Sequence, residues 1–283
     1  MQPFPIPVRA APLLGAGSQP ADDGEPVLDV IAMPRAMHTF EMPRVPERVS
    51  AEALAAAHAL LAGFAQCVGQ PGAMFELEGV APPVLDIVNQ VLGEGEVSIR
   101  ARHPGGELRV QETVFAGCWR CCALDGAGHL VRDWLEAGPI PAAVLDAARS
   151  GALPVLLAPA PPEGAMNAPA LLAEIAAALA DGTPRQVNLT LLPLTPADRA
   201  MLETALPVGP VAIMSRGFGN CHVSATAVRD VWRVQYFNSM NTLILDTLEV
   251  TPVPDVALAS DDDLADSQVR LAELLSWMQE SAA

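Results

Sequence analysis

Hydrophobic and polar residues in the first half of the chain follow two different periods, that of helices and that of strands. Ser50 precedes an Ala/Leu-rich segment, and Pro82 opens a segment in which apolar residues recur every three or four positions. Between them, residues 75–80 alternate like a short strand. Alternation of apolar and polar residues then predicts four strands at 97–102, 108–115, 119–124 and 130–135. Pro139 and Pro141 are expected to end this unit.

The same order of elements recurs in the second half. Asn167 begins a helical segment, residues 187–192 alternate as a strand, and Thr195 begins another helix. Four strands are then predicted at 211–215, 222–228, 231–237 and 242–250. Ser260 precedes a final helix that has no counterpart in the first half. Each half reads helix, strand, helix and a run of strands, which predicts an α+β fold with helices on an antiparallel sheet.

Identical residue types recur at a fixed separation, which indicates an internal duplication. A shift of 113 positions places Val110 on Val223 and continues without a gap until Pro141 meets Pro254. This period exceeds the roughly 20 to 50 residues of solenoid repeats. The sequence therefore predicts two tandem copies of a small helix/antiparallel-sheet domain plus a C-terminal helix.

The predicted organisation has five segments. They are an extended or disordered N-terminal arm at 1–46, a first α+β repeat at 47–150, a Pro/Ala linker at 151–166, a second α+β repeat at 167–259 and a C-terminal helix at 260–283. The arm includes Met37 and Phe40 in a Met-rich stretch between prolines. Such residues can dock on a partner or fold back over their own domain.

Net charge bears on the class of partner. The chain has 33 acidic and 16 basic residues, a net charge of −17, which opposes binding to a phosphate backbone and suits a basic partner. No apolar run approaches the roughly 20 residues of a membrane span. Prolines at positions 3, 5, 7 and 12 are incompatible with a signal-peptide helix. We therefore expect a soluble cytoplasmic protein that neither binds nucleic acid nor inserts into a membrane.

The five cysteines are expected to be reduced thiols. Cys118, Cys121 and Cys122 form a CxxC-containing cluster of the kind found in redox and zinc sites. The repeat places this cluster on a strand, where residues three apart face opposite sides, so Cys118 and Cys121 are not expected to share a metal. Cys221 and the adjacent His222 face apart for the same reason. Buried or half-buried free thiols are the predicted outcome.

Two other recurring features receive structural interpretations. The tryptophans that coincide in the two copies, Trp119 and Trp232, are predicted to anchor the core of each sheet. Acidic pairs recur just before proline turns, and solvation at turns and sheet edges is expected to account for them. These pairs are Asp133/Glu136 and Asp246/Glu249.

Polar residues concentrate in the second copy, at positions where the first has Gly, Ala and Cys. We expect the recognition surface to lie in this copy, because it has gained polar residues that the first copy lacks. No P-loop, nucleophile elbow or HExxH motif accompanies it, and no catalytic or metal-binding residues are predicted. The candidate partner-binding residues are Asn220, His222, Arg229, Trp232, Gln235, Tyr236, Asn238, Ser239 and Asn241, with Met37 and Phe40 of the arm.

Three stretches carry a resemblance to a known family. They are GFGNCHVSATAVRDVWRVQYFNSMNTLILDTLEVTPVP at 217–254, LLPLTPADRAMLETAL at 191–206 and MPRAMHTFEMP at 33–43. The first resembles the conserved C-terminal region of hydrogenase expression/formation proteins of the HupH/HyaF family, and the other two are similar to the same family. The likeness extends over nearly the whole chain.

The resemblance implies a non-enzymatic accessory chaperone in the maturation of uptake [NiFe] hydrogenases. Its implied partners are the iron–sulfur small-subunit precursor, which carries a twin-arginine signal, and a thioredoxin-like companion of the HyaE type. It implies no catalytic residues and no cofactor. Two alternatives stay open: a thiol-dependent factor that delivers or protects an iron–sulfur cluster or metal through Cys118, Cys121, Cys122 and Cys221, and a scaffold for other accessory proteins.

Overall fold

A computed structural model describes residues 50–68, 70, 72–217 and 219–282 of the chain. The helices are α1 (Ala51–Ala65), α2 (Pro82–Leu92), α3 (Ala142–Arg149), α4 (Ala168–Asp181), α5 (Pro196–Ala205) and α6 (Asp261–Ala282), with a 3-10 turn at Asp255–Ala257. The strands are β1 (Ala73–Glu76), β2 (Val97–His103), β3 (Gly106–Glu112), β4 (Cys118–Asp125), β5 (Leu130–Ala137), β6 (Arg185–Asn188), β7 (Val208–Ser215), β8 (Asn220–Thr226), β9 (Val231–Phe237) and β10 (Leu243–Val250).

All ten strands belong to one antiparallel sheet. Its order is β1-β5-β4-β3-β2-β7-β8-β9-β10-β6. Each predicted repeat therefore contributes five strands to the same sheet. The order reads the same from either edge when β6–β10 are matched with β1–β5. At the centre, β2 pairs with β7, with Ile99 opposite Ile213. The prediction of an α+β fold with a C-terminal helix is confirmed, whereas the duplication and the domain boundaries stay predictions.

One side of the sheet is covered along its middle by α3 and the 3-10 turn. Val144 and Ala148 of α3 pack on buried side chains from both halves, among them Trp119 and Trp232. The prediction that these tryptophans anchor the core is confirmed, since both are buried. The sequence did not predict α3, which follows Pro141, its N-terminal capping residue.

Among the described residues, helices cover the other side of the sheet only towards its two ends. Helices α1, α2 and α6 form one cluster with Leu135 and Ala137 of β5, and α4 and α5 form another with Leu248 and Val250 of β10. The C-terminal helix lies against α1 through Leu271, among other residues. Between these clusters, β8 and the middle of β7 alternate between buried and half-exposed residues. No helix in the described ranges lies over the middle of this side.

The recurring acidic pairs are not solvated turn residues, and that interpretation is wrong. Asp133, Glu136 and Asp246 are buried. Arg120 donates two hydrogen bonds to Asp133, at 3.0 and 2.6 Å, and Arg233 donates two to Asp246, at 2.9 and 2.8 Å. Arg and Asp stand 13 positions apart in both copies, and this recurring spacing across a hairpin was the available sequence signal.

The buried acid of β5 also positions the unpredicted helix. Glu136 accepts hydrogen bonds from the indole Nε1 of Trp134 at 3.1 Å and from the backbone N–H of Ala142 at 2.7 Å. Ala142 is the first residue of α3, whose capping residue provides no side-chain hydrogen bond. The carboxylate of Glu136 therefore satisfies a backbone donor at the start of this helix.

The two tryptophans differ in hydrogen bonding, so their substitution by phenylalanine should lower the free energy of unfolding by different amounts. Trp119 Nε1 donates to the carbonyl oxygen of Gly138 at 2.8 Å, whereas Trp232 Nε1 is buried without a partner among the described residues. Both Trp→Phe changes remove ring volume, but only Trp119→Phe also deprives a carbonyl of its donor. We expect it to cost about 1 kcal/mol more than Trp232→Phe in urea-unfolding free energy. Equal losses would contradict this assignment.

Within the described ranges, no helix combines the length and the apolar character needed to cross a membrane.

Candidate partner-binding surface

The uncovered middle of the sheet, which we term the open face, is formed by the outward residues of six neighbouring strands. The paired registers place these residues on one side of the sheet, away from α3. They include Ser98, Arg100, Arg102, Glu107, Arg109, Gln111, Arg120, Cys122, Leu124, Ala212, Met214, Asn220, His222, Ser224, Arg233, Gln235 and Phe237. The half formed by β7, β8 and β9 carries amide, hydroxyl and ring groups, and the half formed by β2, β3 and β4 carries most of the arginines.

His222 lies at the centre of the polar half. Its Cα is paired with that of Gln235 on β9, and its ring packs on Phe237 with centroids 4.8 Å apart. Burial lowers the pKa of His222 from its ordinary value, which favours the neutral imidazole at neutral pH. This part of the open face therefore presents hydrogen-bonding groups beside an aromatic ring and adds no fixed charge.

The turn between β9 and β10 carries exposed apolar side chains. Asn238 Oδ1 accepts hydrogen bonds from the backbone N–H groups of Met240 and Thr242, both at 2.9 Å, and so shapes the turn. The exposed fractions of Met240, Leu243 and Ile244 are 81%, 42% and 56%. We term these three residues the apolar tip. Ile244 is exposed because the register between β9 and β10 shifts at this position.

The structure brings together only some of the predicted binding residues. Asn220, His222 and Gln235 share the open face, and Asn238, Ser239 and Asn241 lie in or beside the turn at its end.

The remaining candidates lie elsewhere or outside the described residues. Trp232 and Tyr236 face the opposite side of the sheet, where Trp232 is buried. Burial and the neighbouring Cys221 raise the pKa of Tyr236 to about 12. Arg229 is exposed beyond the far end of β8. Met37 and Phe40 fall outside the described residues.

The thiols are dispersed, as the strand interpretation predicted. Cys118 and Cys122 lie on one side of β4 and Cys121 on the other. Cys118, Cys121 and Cys221 are buried and all three are free thiols, and burial raises the pKa of Cys118 to about 12 and of Cys221 to about 11. Cys122 is half-buried and lies 3.6 Å from Asp133 Oδ1. Across the described part of the chain, no three His, Cys, Asp or Glu side chains are grouped to hold a metal ion.

Comparison with known proteins places most of the chain in one family. Residues 74–150 and 165–278 match the family profile described as HupH hydrogenase expression protein, C-terminal conserved region. The chain belongs to the HupH family. The matched residues include β2 to β10, all of β1 except Ala73, and the apolar tip.

Relatives in the HupH family match over most of their length. The hydrogenase expression/formation protein HoxQ of Cupriavidus necator is 42% identical over 290 residues, covering 98% of this chain and 99% of HoxQ. HupH of Rhodobacter capsulatus is 42% identical over 274 residues, covering 92% of this chain and 94% of HupH. The hydrogenase-1 operon protein HyaF of Escherichia coli is 38% identical over 199 residues, 69% of this chain and 70% of HyaF.

A solved structure also matches part of the chain. The hydrogenase expression protein HupH from Thiobacillus denitrificans is 29% identical, covers 39% of this chain and 95% of the matched chain, and has a TM-score of 0.36.

Proposed function

We propose that this protein is a non-enzymatic accessory chaperone for maturation of an uptake [NiFe] hydrogenase. In this role it holds the iron–sulfur small-subunit precursor in the cytoplasm before assembly and export, beside a thioredoxin-like companion. The names of relatives such as HoxQ and HupH, hydrogenase expression/formation proteins that match nearly the whole chain, support a maturation role.

One observation carries the proposal that a protein client is bound. The apolar tip leaves three large side chains in solvent directly beside the polar half of the open face. Protein interfaces commonly combine an apolar centre with a rim of hydrogen-bonding groups. Asn220, His222 and Gln235 would supply such a rim for a client that covers Leu243 and Ile244.

We also propose that the chain arose by duplication of one α+β domain. Matching local geometry supports this origin. The Thr113 hydroxyl donates a hydrogen bond to the carbonyl oxygen of Phe115 and accepts one from the Phe115 backbone N–H. The Thr226 hydroxyl makes the same two hydrogen bonds with Val228. The bidentate Arg–Asp pairs also recur, and the bulged residue Val131 of the first half is as exposed as its counterpart Ile244.

Matched hairpin variants test the client surface. The tagged protein is co-expressed with the hydrogenase small-subunit precursor, with and without its signal peptide, and the purified complexes are weighed by native mass spectrometry. We expect capture by the wild type, its loss in the Leu243→Asp/Ile244→Asp variant, and its retention in Leu130→Asp/Val131→Asp, the equivalent change on the other hairpin. If the precursor never co-purifies with wild type, the proposed client is wrong. Equal capture by both variants would overturn the proposed surface.

A further inference from the structure

The open face differs in charge from the rest of the chain. The open-face side chains of its six strands include five arginines and one acidic residue, Glu107, whereas the whole chain has a net charge of −17. The arginines are Arg100, Arg102, Arg109, Arg120 and Arg233. Asp133 and Asp246, on the flanking strands, each pair with one of them. Two positive charges remain in excess on a protein that is otherwise strongly acidic.

The excess charge is concentrated on the hairpin formed by β2 and β3. Arg100 and Arg109 stand directly opposite each other in the register, an arrangement of like charges that destabilises a sheet. One carboxylate serves both, since Glu107 lies 2.6 Å from Arg109 Nε and 3.9 Å from Arg100 Nε. Arg102 is exposed. Glu107 stands opposite it in the register, but within the described ranges the ion pairs of Glu107 are with Arg100 and Arg109.

The shape of this region suits an extended chain. The middle of the sheet lies between α1, α2 and α6 at one end and α4 and α5 at the other. Six strands spaced about 4.8 Å apart span roughly 24 Å of sheet, and the helix clusters reach the outermost two at Cys118 of β4 and Val231 of β9. Guanidinium groups that project from this part of the sheet are suited to bidentate contacts with carboxylates.

We propose that the β2–β3–β4 half of the open face binds an acidic segment of a partner protein, through Arg102 and Arg109 above all, because these are the arginines of this half that are exposed. Nucleic acid is the less favoured anion because the net charge of the whole chain repels a long phosphate backbone. A short acidic segment meets the local excess of arginine within about one Debye length, roughly 8 Å, where the distant acidic surface is screened. A basic segment, in contrast, does not fit this half of the sheet.

This partner is expected whether or not the chain binds the hydrogenase precursor. The test uses the full-length protein and a fluorescein-labelled synthetic peptide of alternating Glu and Ser, with binding followed by fluorescence anisotropy at low and physiological ionic strength. The variant is Arg102→Glu/Arg109→Glu. The control is Arg149→Glu/Arg199→Glu, which changes net charge equally at two exposed residues on α3 and α5.

We expect the acidic peptide to bind wild type, with affinity that weakens as salt rises. The variant on the open face should bind roughly tenfold more weakly, and the control should match wild type. Absence of peptide binding, or equal weakening in variant and control, would overturn the inference. So would tighter binding of an oligothymidylate or of the matching Lys/Ser peptide. Arg102→Gln/Arg109→Gln checks the result without charge reversal, and its thermal unfolding establishes that the sheet is intact.

Discussion

Asp198→Asn is expected to destabilise the protein strongly, because it removes one buried carboxylate that serves two helices. Asp198 is fully buried, and its Oδ1 accepts hydrogen bonds from the backbone N–H groups of Met166, Asn167 and Ala168 at 2.8 to 2.9 Å. Its Oδ2 accepts from Thr195 N and Thr195 Oγ1, both at 3.0 Å. These contacts satisfy the starts of both α4 and α5. An amide in its place directs N–H groups at N–H donors.

The effect should depend on pH in a defined direction. Burial alone would raise the pKa of Asp198, but hydrogen bonds from the N–H groups of Ala168, Thr195, Met166 and Asn167 hold it well below its usual range. Because the folded-state pKa is depressed, the stabilisation is present above the unfolded-state pKa of about 3.9 and is lost as pH falls below it.

Thermal unfolding from pH 7 to pH 3 measures this dependence. At neutral pH the melting temperature of Asp198→Asn should lie roughly 10 °C below wild type, and the gap should narrow in acid. Glu203→Gln, at an exposed position on the same helix, should change little. A gap that persists unchanged to pH 3 would mean that the charge of Asp198 is not responsible.

Alanine at Gly95 or Gly209 should also give a large loss of stability. A Cβ atom on Gly95 would lie 2.1 Å from the carbonyl oxygen of Thr113, and one on Gly209 would lie 2.5 Å from that of Thr226. Both obstacles are backbone oxygens, one directly after β3 and one at the end of β8, so no side chain can rotate away. Relief requires the strands to separate, and we expect each substitution to cost about 3 kcal/mol.

A third glycine provides the control for this pair. A Cβ on Gly126 would meet nothing within 4 Å, so Gly126→Ala should stay within about 0.5 kcal/mol of wild type. Urea unfolding of the three variants gives the comparison. Wild-type stability of Gly95→Ala or Gly209→Ala would show that the backbone adjusts at that position, and the close approach would then have no energetic meaning.

Local pattern was sufficient to predict much of this fold. Alternation identified β4 and β9, and their matched sequences placed Trp119 and Trp232 in the core, where both are buried. The starts of α1 and α5 could also be predicted, because their capping residues, Ser50 and Thr195, accept hydrogen bonds from residues three positions ahead. Ser50 Oγ, for example, accepts from Ala53 N at 3.1 Å. Interactions of this short range can be predicted from residues that are neighbours in the sequence.

Features that depend on distant contacts could not be predicted in the same way. The start of α3 donates a hydrogen bond to Glu136 on the preceding strand and has no capping side chain of its own. The role of Asp198 at α4 depends on residues about 30 positions earlier.

Prediction of the candidate binding surface also depended on contacts between residues that are distant in the sequence. Alternation shows that Gln235 and Tyr236 face opposite sides of the sheet, but which side stays open depends on where α3 packs. Sequence alone therefore joined residues from both sides into one predicted surface.

The pairing of β2 with β7 at the centre of the sheet affects the tendency of the protein to aggregate. Each of these strands would be an unprotected edge if its half stood alone, and its seven or eight residues would offer free backbone groups to other chains. The outer strands β1 and β6 have only four residues each, which makes them poor templates for such pairing. Joining the halves in one polypeptide therefore protects both strands from pairing with other chains. Either half expressed alone should elute as an oligomer in size-exclusion chromatography.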